Sequence, residues 1–424
     1  VFRGRLQSVP VRGLSEAVLP ARMGTPFRWL VGASWVTNLG DGIALAAGPL
    51  LVASQTQDPL LVALGALVQR LPWLLFGLHA GVLADRVDRR RLVAAIDLAR
   101  AGVLAVLAVA LATGDVGIAA ILAALFVLGT AEVFADVTSG TLLPMVVGRA
   151  DLGVGNARLM AGTLTMNELA GPALGAVLFV AGTAWPFVTQ AVLLVLGALL
   201  VSRMRLPAHE RPAERAHVRR DIAQGLRWVW GNAAVRTLTL TSVSFNVTFG
   251  AAWAVLVLYA DQRLGLSPVG YGVLTSMGAL GGFAGTAAYD WLERRAGLAT
   301  LMRVGLVIET LTHLVLALTT TAWVAMVVMA VFGAHAFVWG TTSRTVRMRA
   351  VPIGLQGRVG SLAAMGGFSG ILVGQLVGGL IARVWGITGP FWFGFVGSAV
   401  ILALIWRQLG HIAHVGEETP VPAR

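Results

Sequence analysis

GVLADRVDRRRL, residues 81–92, begins as an apolar run and then gathers Asp85, Arg86, Asp88, Arg89, Arg90 and Arg91 into seven positions. In a chain that is 57% hydrophobic and only 12% charged, such a knot of charge reads as a wet turn between two stretches that are not wet. The flanking runs, 60–84 and 92–113, are each long enough to cross about 30 Å of hydrocarbon.

The whole composition agrees. A soluble domain keeps roughly 25% charged residues, about twice the share found in this chain, whose mean hydropathy is +0.79. Segments of alternating polarity are missing, which argues against an outer-membrane barrel. The net charge of +12 and isoelectric point of 11.5 would suit a nucleic-acid binder by themselves, but the placement of the arginines argues otherwise. All 32 basic residues are Arg. The absence of Cys excludes disulfides, thiolate metal sites and cysteine catalysis. The first 26 residues lack the apolar core of a cleavable signal. MGTPFRWL at Met23 offers a second start, which would make residues 1–22 a dispensable tail.

Twelve apolar segments can be counted: 28–52, 60–84, 92–113, 116–143, 157–181 and 184–203, then 236–260, 268–290, 300–320, 322–343, 358–383 and 386–407. The expected division is a tail (1–27), a six-helix bundle (28–203), a linker (204–235), a second six-helix bundle (236–407) and a C-terminal tail (408–424). Arginines collect at the N-terminus, the 85–91 turn, Arg149, the linker, Arg294–Arg295 and 344–358, and the alternate loops hold almost none. The positive-inside rule then puts both termini in the cytoplasm of a cell-membrane protein. In the linker, HVRRDIAQGLRWVWGN sets Val218, Ile222, Leu226, Val229 and Trp230 on one helical face against Arg220, Gln224 and Arg227, the pattern of a helix lying in the membrane interface. GPALGAVL at 171–178 returns as GQLVGGLI at 374–381, and GVLADRVDRRR at 81–91 returns faintly as GTAAYDWLERR at 285–295. Parallel repeats of this kind place a substrate site between the halves, near the midplane.

With the repeat in view, the opening stretch resembles the signature after the second helix of the major facilitator superfamily, Gly-x-Leu-Ala-Asp-Arg-x-Gly-Arg-Arg, with Asp88 in place of the second Gly. LLPMVVGRADLGVGNARL (142–159), GPALG (171–175), DIAQGLRWVW (221–230) and LQGRVGSL (355–362) resemble the branch of enterobactin exporters and macrolide or multidrug efflux proteins. The resemblance implies an all-α polytopic fold of twelve transmembrane helices in two pseudo-symmetric bundles. It also implies a conformational latch made by Gly81, Asp85, Arg86, Arg89 and Arg90, closing against the eleventh helix. Gly171, Pro172 and Gly175 are similar to the core of the antiporter motif of drug exporters, although Arg158 and Asn167 stand where its upstream glycines would be, and TAEVFADV lacks the fourth-helix arginine.

Ionisable groups inside the bilayer cost about 2.5–3.5 kcal/mol each on insertion scales, so each calls for a reason. Asp41 and Arg70 lie at similar depths, about 20 Å and 22 Å from the arginine-rich side, and an Asp41–Arg70 pair is the expectation. An acid able to exchange that partner for a proton would couple transport to a proton gradient. A static pair is the competing reading, and Asp41 could also cap a glycine-broken helix at NLGDG. Glu132 and Asp136, four apart, repel on one face. Glu168 is either a further proton site or a partner for Arg158 or a neighbouring helix. Asp97 with Arg100 reads as self-neutralising, and Glu309 with His313 as a local hydrogen-bonded pair. By the helix roles of the resembling family, Trp35, Asn246, Phe249, Trp253, His335 and Trp339 are candidates to line the substrate cavity, with Phe245 and Phe337 beside them.

The expected activity is export of a small amphipathic organic molecule (drug, antibiotic or siderophore-like) by proton antiport with alternating access. It would be driven by the proton gradient with no cofactor or metal, by a monomer among membrane lipids, with no nucleic-acid partner. A proton-coupled importer or passive facilitator is the alternative, and a non-transporting scaffold or sensor a third. HExxH and GxxxxGK[ST] are both missing and no paired-acid or Ser–His constellation is legible, so an enzyme is not expected. The substrate itself is not written in the sequence.

Overall fold

The computed structural model describes residues 20–114, 116–206 and 218–409. The expected N-terminal tail up to residue 19, the linker stretch 207–217 and the C-terminal tail from residue 410 lie outside the described residues. The described chain is helical throughout: α1 (Gly24–Gln55), α2 (Pro59–Ala84), α3 (Arg89–Thr113), α4 (Ile118–Gly140), α5 (Arg149–Ala181), α6 (Trp185–Ser202), α7 (Val218–Gly231), α8 (Ala233–Trp253), α9 (Leu256–Gln262), α10 (Pro268–Leu318), α11 (Ala322–Ala350), α12 (Gln356–Trp385) and α13 (Gly389–Ile405). Among these residues nine helices are long and apolar enough to cross a membrane, or ten if α8 and α9, bent by 42°, form one span. The long α10 is two helices joined where Gly297 adopts φ 72°, ψ 162°, and α13 is a shorter apolar helix. Each of the twelve apolar segments of the sequence falls on helix. Val106, Val109, Leu199 and Leu404 lie exposed on these helices, as side chains facing lipid do.

The charged knot that opened the sequence now has a local explanation. Asp88, where the signature has Gly, caps α3 by accepting a hydrogen bond from the Arg91 backbone N–H at 3.0 Å. Asp85 ends α2 and takes the Arg89 guanidinium at 3.0 Å, and Arg90 donates to the Met204 carbonyl at 2.8 Å, tying the turn to the end of α6. Asp58, Asn232 and Ser267 cap α2, α8 and α10 in the same way as Asp88.

Small residues decide how the helices cross. A Cβ on Gly171 or Gly175 of α5 would overlap the α1 backbone at Gly42 or Ile43, and 203 residues later a Cβ on Gly374 or Gly378 of α12 would overlap the α8 carbonyls of Val247 or Ala251. Gly129 brings α4 onto the Gln69 carbonyl of α2, and Gly333 brings α11 onto the Gly278 carbonyl of α10. The two halves therefore repeat the same backbone-to-backbone crossings, the device by which helices pack where no hydrophobic effect drives them together.

Across the halves, described contacts lie at the end away from the arginines or near mid-depth. Gln262 donates to Gln57 at 2.9 Å, Arg383 reaches Asp58 at 3.7 Å, Gly379 meets Leu60 and Ala63, and the Ser276 hydroxyl donates to the Leu169 carbonyl at 2.7 Å. The deepest is Trp73 stacked on Phe368, with centroids 5.7 Å apart and planes 1° apart. At the arginine-rich end a Cβ at Gly77, Gly81, Gly140, Gly357 or Gly360 would meet nothing within 4 Å, so the helix ends stand apart there. Gly81, expected in a latch that closes against the eleventh helix, has no helix against it in this conformation.

The linker helix, expected in the membrane interface, also packs on the protein. Val229 is buried against Val351 and Val359, Gln224 accepts from Arg358 at 2.8 Å, and Leu226 and Trp230 remain exposed. Val229 is thus seated beside the start of α12, with Leu226 and Trp230 outside that contact. The side chains of Val218 to Ile222 lie outside the described residues.

The glycine crossings predict a graded response. Gly175→Ala and Gly378→Ala should each destabilise by about 1–3 kcal/mol, read as a lowered thermal-unfolding midpoint in detergent. Gly81→Ala, with open space around it, should be neutral or slightly stabilising, since Ala suits a helix better than Gly by roughly 1 kcal/mol.

Candidate functional site

Each of α1 to α6 brings at least one polar group to a common interior space, and at its centre is Arg100 of α3. Its guanidinium is 2% exposed; one Nη hydrogen-bonds Asp41 of α1 and lies 3.9 Å from the Glu132 carboxylate of α4, and the other lies 3.7 Å from Asp97 one turn back on α3. Gln190 of α6 donates a second hydrogen bond to Asp41 at 3.2 Å. One buried cation thus joins carboxylates from three helices, and among the described residues its Nε has no hydrogen-bond partner. The expected Asp41–Arg70 pair is not formed. Both line the same cavity, but Arg70 points its charge toward Glu132, while Arg100 occupies the place beside Asp41. Nor is Arg100 neutralised by Asp97 alone.

This cluster lines a cavity of about 630 Å³. Asp41, Glu132, Asp136 and Glu168 supply four carboxyls to the wall, against the guanidiniums of Arg70 and Arg100. The cavity runs from mid-depth toward the arginine-rich end, where Ser139, Gly140 and Leu159 border it. Glu168 sits in a π-helical stretch, Thr163–Ala170, inside α5. Such a bulge shifts the side chains it carries relative to a regular helix and is frequent at functional positions. Here it turns Glu168 to the cavity and presses the Asn167 carbonyl on Gly42, and Glu168 forms no ion pair with Arg158 among the described residues.

Two further spaces continue it into the second half. One, of about 310 Å³, shares Arg70 and Glu168 with the first and is walled by Phe249, Trp253, Phe332 and Phe337, with Pro172 at its edge. Phe249 and Phe332 stack at 5.7 Å, and Trp253 lies 4.7 Å from Phe332. The other, of about 270 Å³, is lined by Phe245, Asn246, Phe249, Phe332, His335 and Trp339 together with Glu309. Of the cavity candidates, Asn246, Phe249, Trp253, His335 and Trp339 therefore line these spaces, and Trp35 does not. Its indole N–H donates to the Arg158 carbonyl at 3.1 Å and its ring lies on Gly162, so it holds α1 to α5. The Glu309–His313 pair is also revised. The Glu309 carboxylate meets His335 Nε2 at 3.1 Å, while His313 Nδ1 donates to the Glu309 backbone carbonyl at 2.9 Å.

Sequence reasoning passed over Arg100, Gln190 and Glu309 as members of these sites. The available signal was a lone Gln190 within an apolar run and a single guanidinium at Arg100 buried in another.

Comparison with known proteins gives this fold a family. Residues 16–417 match the family model described as transmembrane secretion effector. The chain belongs to this family, a branch of the major facilitator superfamily. It is 28% identical over 367 residues to the multidrug efflux pump Tap of Mycolicibacterium fortuitum, covering 82% of this chain and 88% of that protein. It is 25% identical over 405 residues to the enterobactin exporter EntS of Citrobacter koseri, covering 93% and 94%. Among solved structures, the nucleoside transporter NupG superposes with a TM-score of 0.76 at 12% identity, covering 91% of this chain and 100% of that one. A bacterial homologue of the iron transporter ferroportin, in an inward-facing state, superposes with a TM-score of 0.72 at 16% identity, covering 91% and 98%. The chain is thus a multi-pass membrane protein with the major facilitator fold.

Removing the central cation should be costly. Arg100→Met is expected to lose about 3–5 kcal/mol, because it strands Asp41 and Asp97 in a buried site. Adding Asp41→Asn should recover part of that loss. Arg70→Gln, which breaks no described ion pair, should cost less than Arg100→Met when thermal unfolding is compared in the same detergent.

Proposed function

We propose that this transporter exports small amphipathic organic molecules from the cytoplasm in exchange for protons. Its two halves would rock about the central cavity, in a monomer that needs no cofactor beyond the proton gradient. The observation that carries this reading is the cavity wall itself, in which four carboxyls face two guanidiniums in a space that opens toward one end only. A surplus of negative charge inside a membrane must be compensated, and either protons or a cationic or hydroxyl-rich substrate can do so. When a substrate enters and protons leave, the surplus is compensated by one in place of the other, which is the exchange that antiport requires.

The arginine-rich end is cytoplasmic on this reading, as are both termini, by the positive-inside rule. The cavity then opens to the cytoplasm, where an exporter loads. Two relatives named for efflux and export, similar over most of their length, support the direction. The charge knot supports the switch: Asp85 and Arg89 form the turn at the open end, and when that end closes Asp85 comes to the positive N-terminus of α12 as the latch. Arg86, exposed beside them, holds orientation at the headgroups.

Proton movement in everted membrane vesicles tests the proposal. After energisation, a macrolide, a tetracycline, a catechol siderophore and an organic cation are added in turn, with a pH-sensitive dye as readout. Wild type should release protons on addition of at least one compound, and Asp41→Asn at matched expression should not. Release retained in Asp41→Asn would move the exchange to Glu132, Asp136 or Glu168. Silence across the panel, while a related exporter responds in parallel, would overturn antiport.

A further inference from the structure

The second half holds a buried hydrogen-bonded Glu–His pair that the central carboxylates do not account for. Glu309 of α10 and His335 of α11 are 7% and 6% exposed, and His335 Nε2 donates to the Glu309 carboxylate at 3.1 Å. Both line the cavity of about 270 Å³. The His335 Nδ1 is buried and has no hydrogen-bond partner among the described residues.

The place of this pair in the fold is not arbitrary. In the first half, Arg100 on the third apolar segment binds Glu132 on the fourth and Asp41 on the first. In the second half Glu309 lies on the ninth segment and His335 on the tenth, 203 residues after Glu132, with Asn246 of the seventh in the same cavity. The same three helices of each half therefore supply a buried polar centre, with the signs inverted: a cation on the third helix in one half, an anion on the ninth in the other.

The surroundings of Glu309 are aromatic. Phe245, Phe249, Phe332 and Trp339 wall the cavity, and the His335 ring lies 6.1 Å from Phe332 and 6.5 Å from Trp339. Other charge is scarce. On α10, His313 is spent on the Glu309 carbonyl, and Arg303 turns away to lie 5.5 Å from the Trp406 ring. The facing stretches 237–253 of α8, 269–289 of α10, 322–343 of α11, 359–382 of α12 and 389–405 of α13 hold no Asp, Glu, Lys or Arg, and His335 is their only histidine. When His335 is neutral, the site carries one uncompensated negative charge inside an aromatic box. Such a box with a carboxylate at its base binds flat organic cations through the ring faces and the charge together. When His335 is protonated, the pair is internally neutral and that attraction is gone.

We propose that the Glu309–His335 cavity is a second cation site, separate from the Arg100 cluster, which takes the cationic ring of an aromatic substrate in competition with a proton on His335. Entry of the cation against Glu309 leaves the proton of His335 to cavity water, so one positive charge replaces another and no other group changes. The cavity shares Phe249, Phe332 and Ala336 with the 310 Å³ space, so the rest of an elongated molecule extends back toward the Arg100 cluster. The assignment rests on the transport reading for its place in the cycle, but binding at equilibrium is measured without any gradient.

Ethidium, a flat aromatic cation whose charge does not titrate, is the probe, with neutral phenanthridine as its uncharged counterpart. Its binding is measured by fluorescence on the full chain in nanodiscs, beside thermal unfolding of each variant. Glu309→Gln should weaken ethidium at least about tenfold and leave phenanthridine nearly unchanged. Wild type should bind ethidium more tightly as pH rises from about 6 to about 8, and His335→Gln, which keeps a donor toward Glu309, should bind without that dependence. Phe332→Leu provides a check that does not disturb the Glu309–His335 contact, and it should weaken ethidium as well. No ethidium binding by folded wild type, unaltered affinity in folded Glu309→Gln, or a pH dependence that persists in His335→Gln would each overturn the proposal. Affinity lost in Asp136→Asn but kept in Glu309→Gln would do so too, placing the cation in the first half. Failure of the vesicle assay with ethidium binding intact would instead count against antiport alone.

Discussion

A guanidinium that cannot reach water has to be held by anions, and the first half of this transporter is organised around that necessity. Arg100 is shared by Asp41, Asp97 and Glu132, which ride on α1, α3 and α4, with Gln190 of α6 completing the shell of Asp41. Breaking such a pair is far more costly than forming it is favourable, because the charge left behind stays buried. The cluster therefore constrains the helices more than it stabilises them. It fixes the rotation of each helix about its own axis, and it does so beside the cavity where a change of charge would be felt.

Glycine does the complementary work. Where the cluster sets rotation, the crossings at Gly171, Gly175, Gly374 and Gly378 set approach, letting backbone meet backbone in a medium that offers no hydrophobic reward for packing. The motif resembling that of drug antiporters has this physical content here: Gly171 and Gly175 press α5 on α1, and Pro172 follows the π-helical stretch that turns Glu168 inward. That the second half repeats the crossing with GQLVG in place of GPALG shows that the two glycines, and not the proline, are what the crossing needs.

Much of this was legible in the sequence, and what was not has a common cause. Apolar segments, the charged turns and the half-repeat all follow from one coordinate, distance along the chain, which the bilayer converts into depth. Asp41 and Arg70 were matched on depth and still do not pair, because a partner also depends on the direction in which each helix faces. That direction is set by neighbours distant in sequence: Gly129 on the Gln69 backbone for α2, Asn167 on Gly42 for α1. Arg100 was discounted because Asp97, one turn away, looked sufficient, and Glu309 because His313 did. In both cases a local partner within the same helix concealed a long-range one. Trp35 failed for a related reason, since an aromatic residue on a cavity-lining helix has a back as well as a front.

The same geometry separates what can move from what cannot. Within each half, the helices meet through backbone contacts at glycine, and these admit no sliding without steric overlap. Between the halves, the closed end is held by Gln57 with Gln262, by the partly exposed Asp58–Arg383 pair, and by small-residue contacts such as Gly379 against Ala63. Exposed ion pairs contribute at most about 1 kcal/mol each, and polar groups released at that end regain water when it opens. The interface between halves is therefore cheap to exchange for another of similar worth at the arginine-rich end, where Asp85 stands exposed. A conformational equilibrium within a few kcal/mol of balance is what a substrate or a proton can shift by its own differential affinity. Rigid halves joined by replaceable contacts satisfy that condition, and a single tightly packed bundle would not.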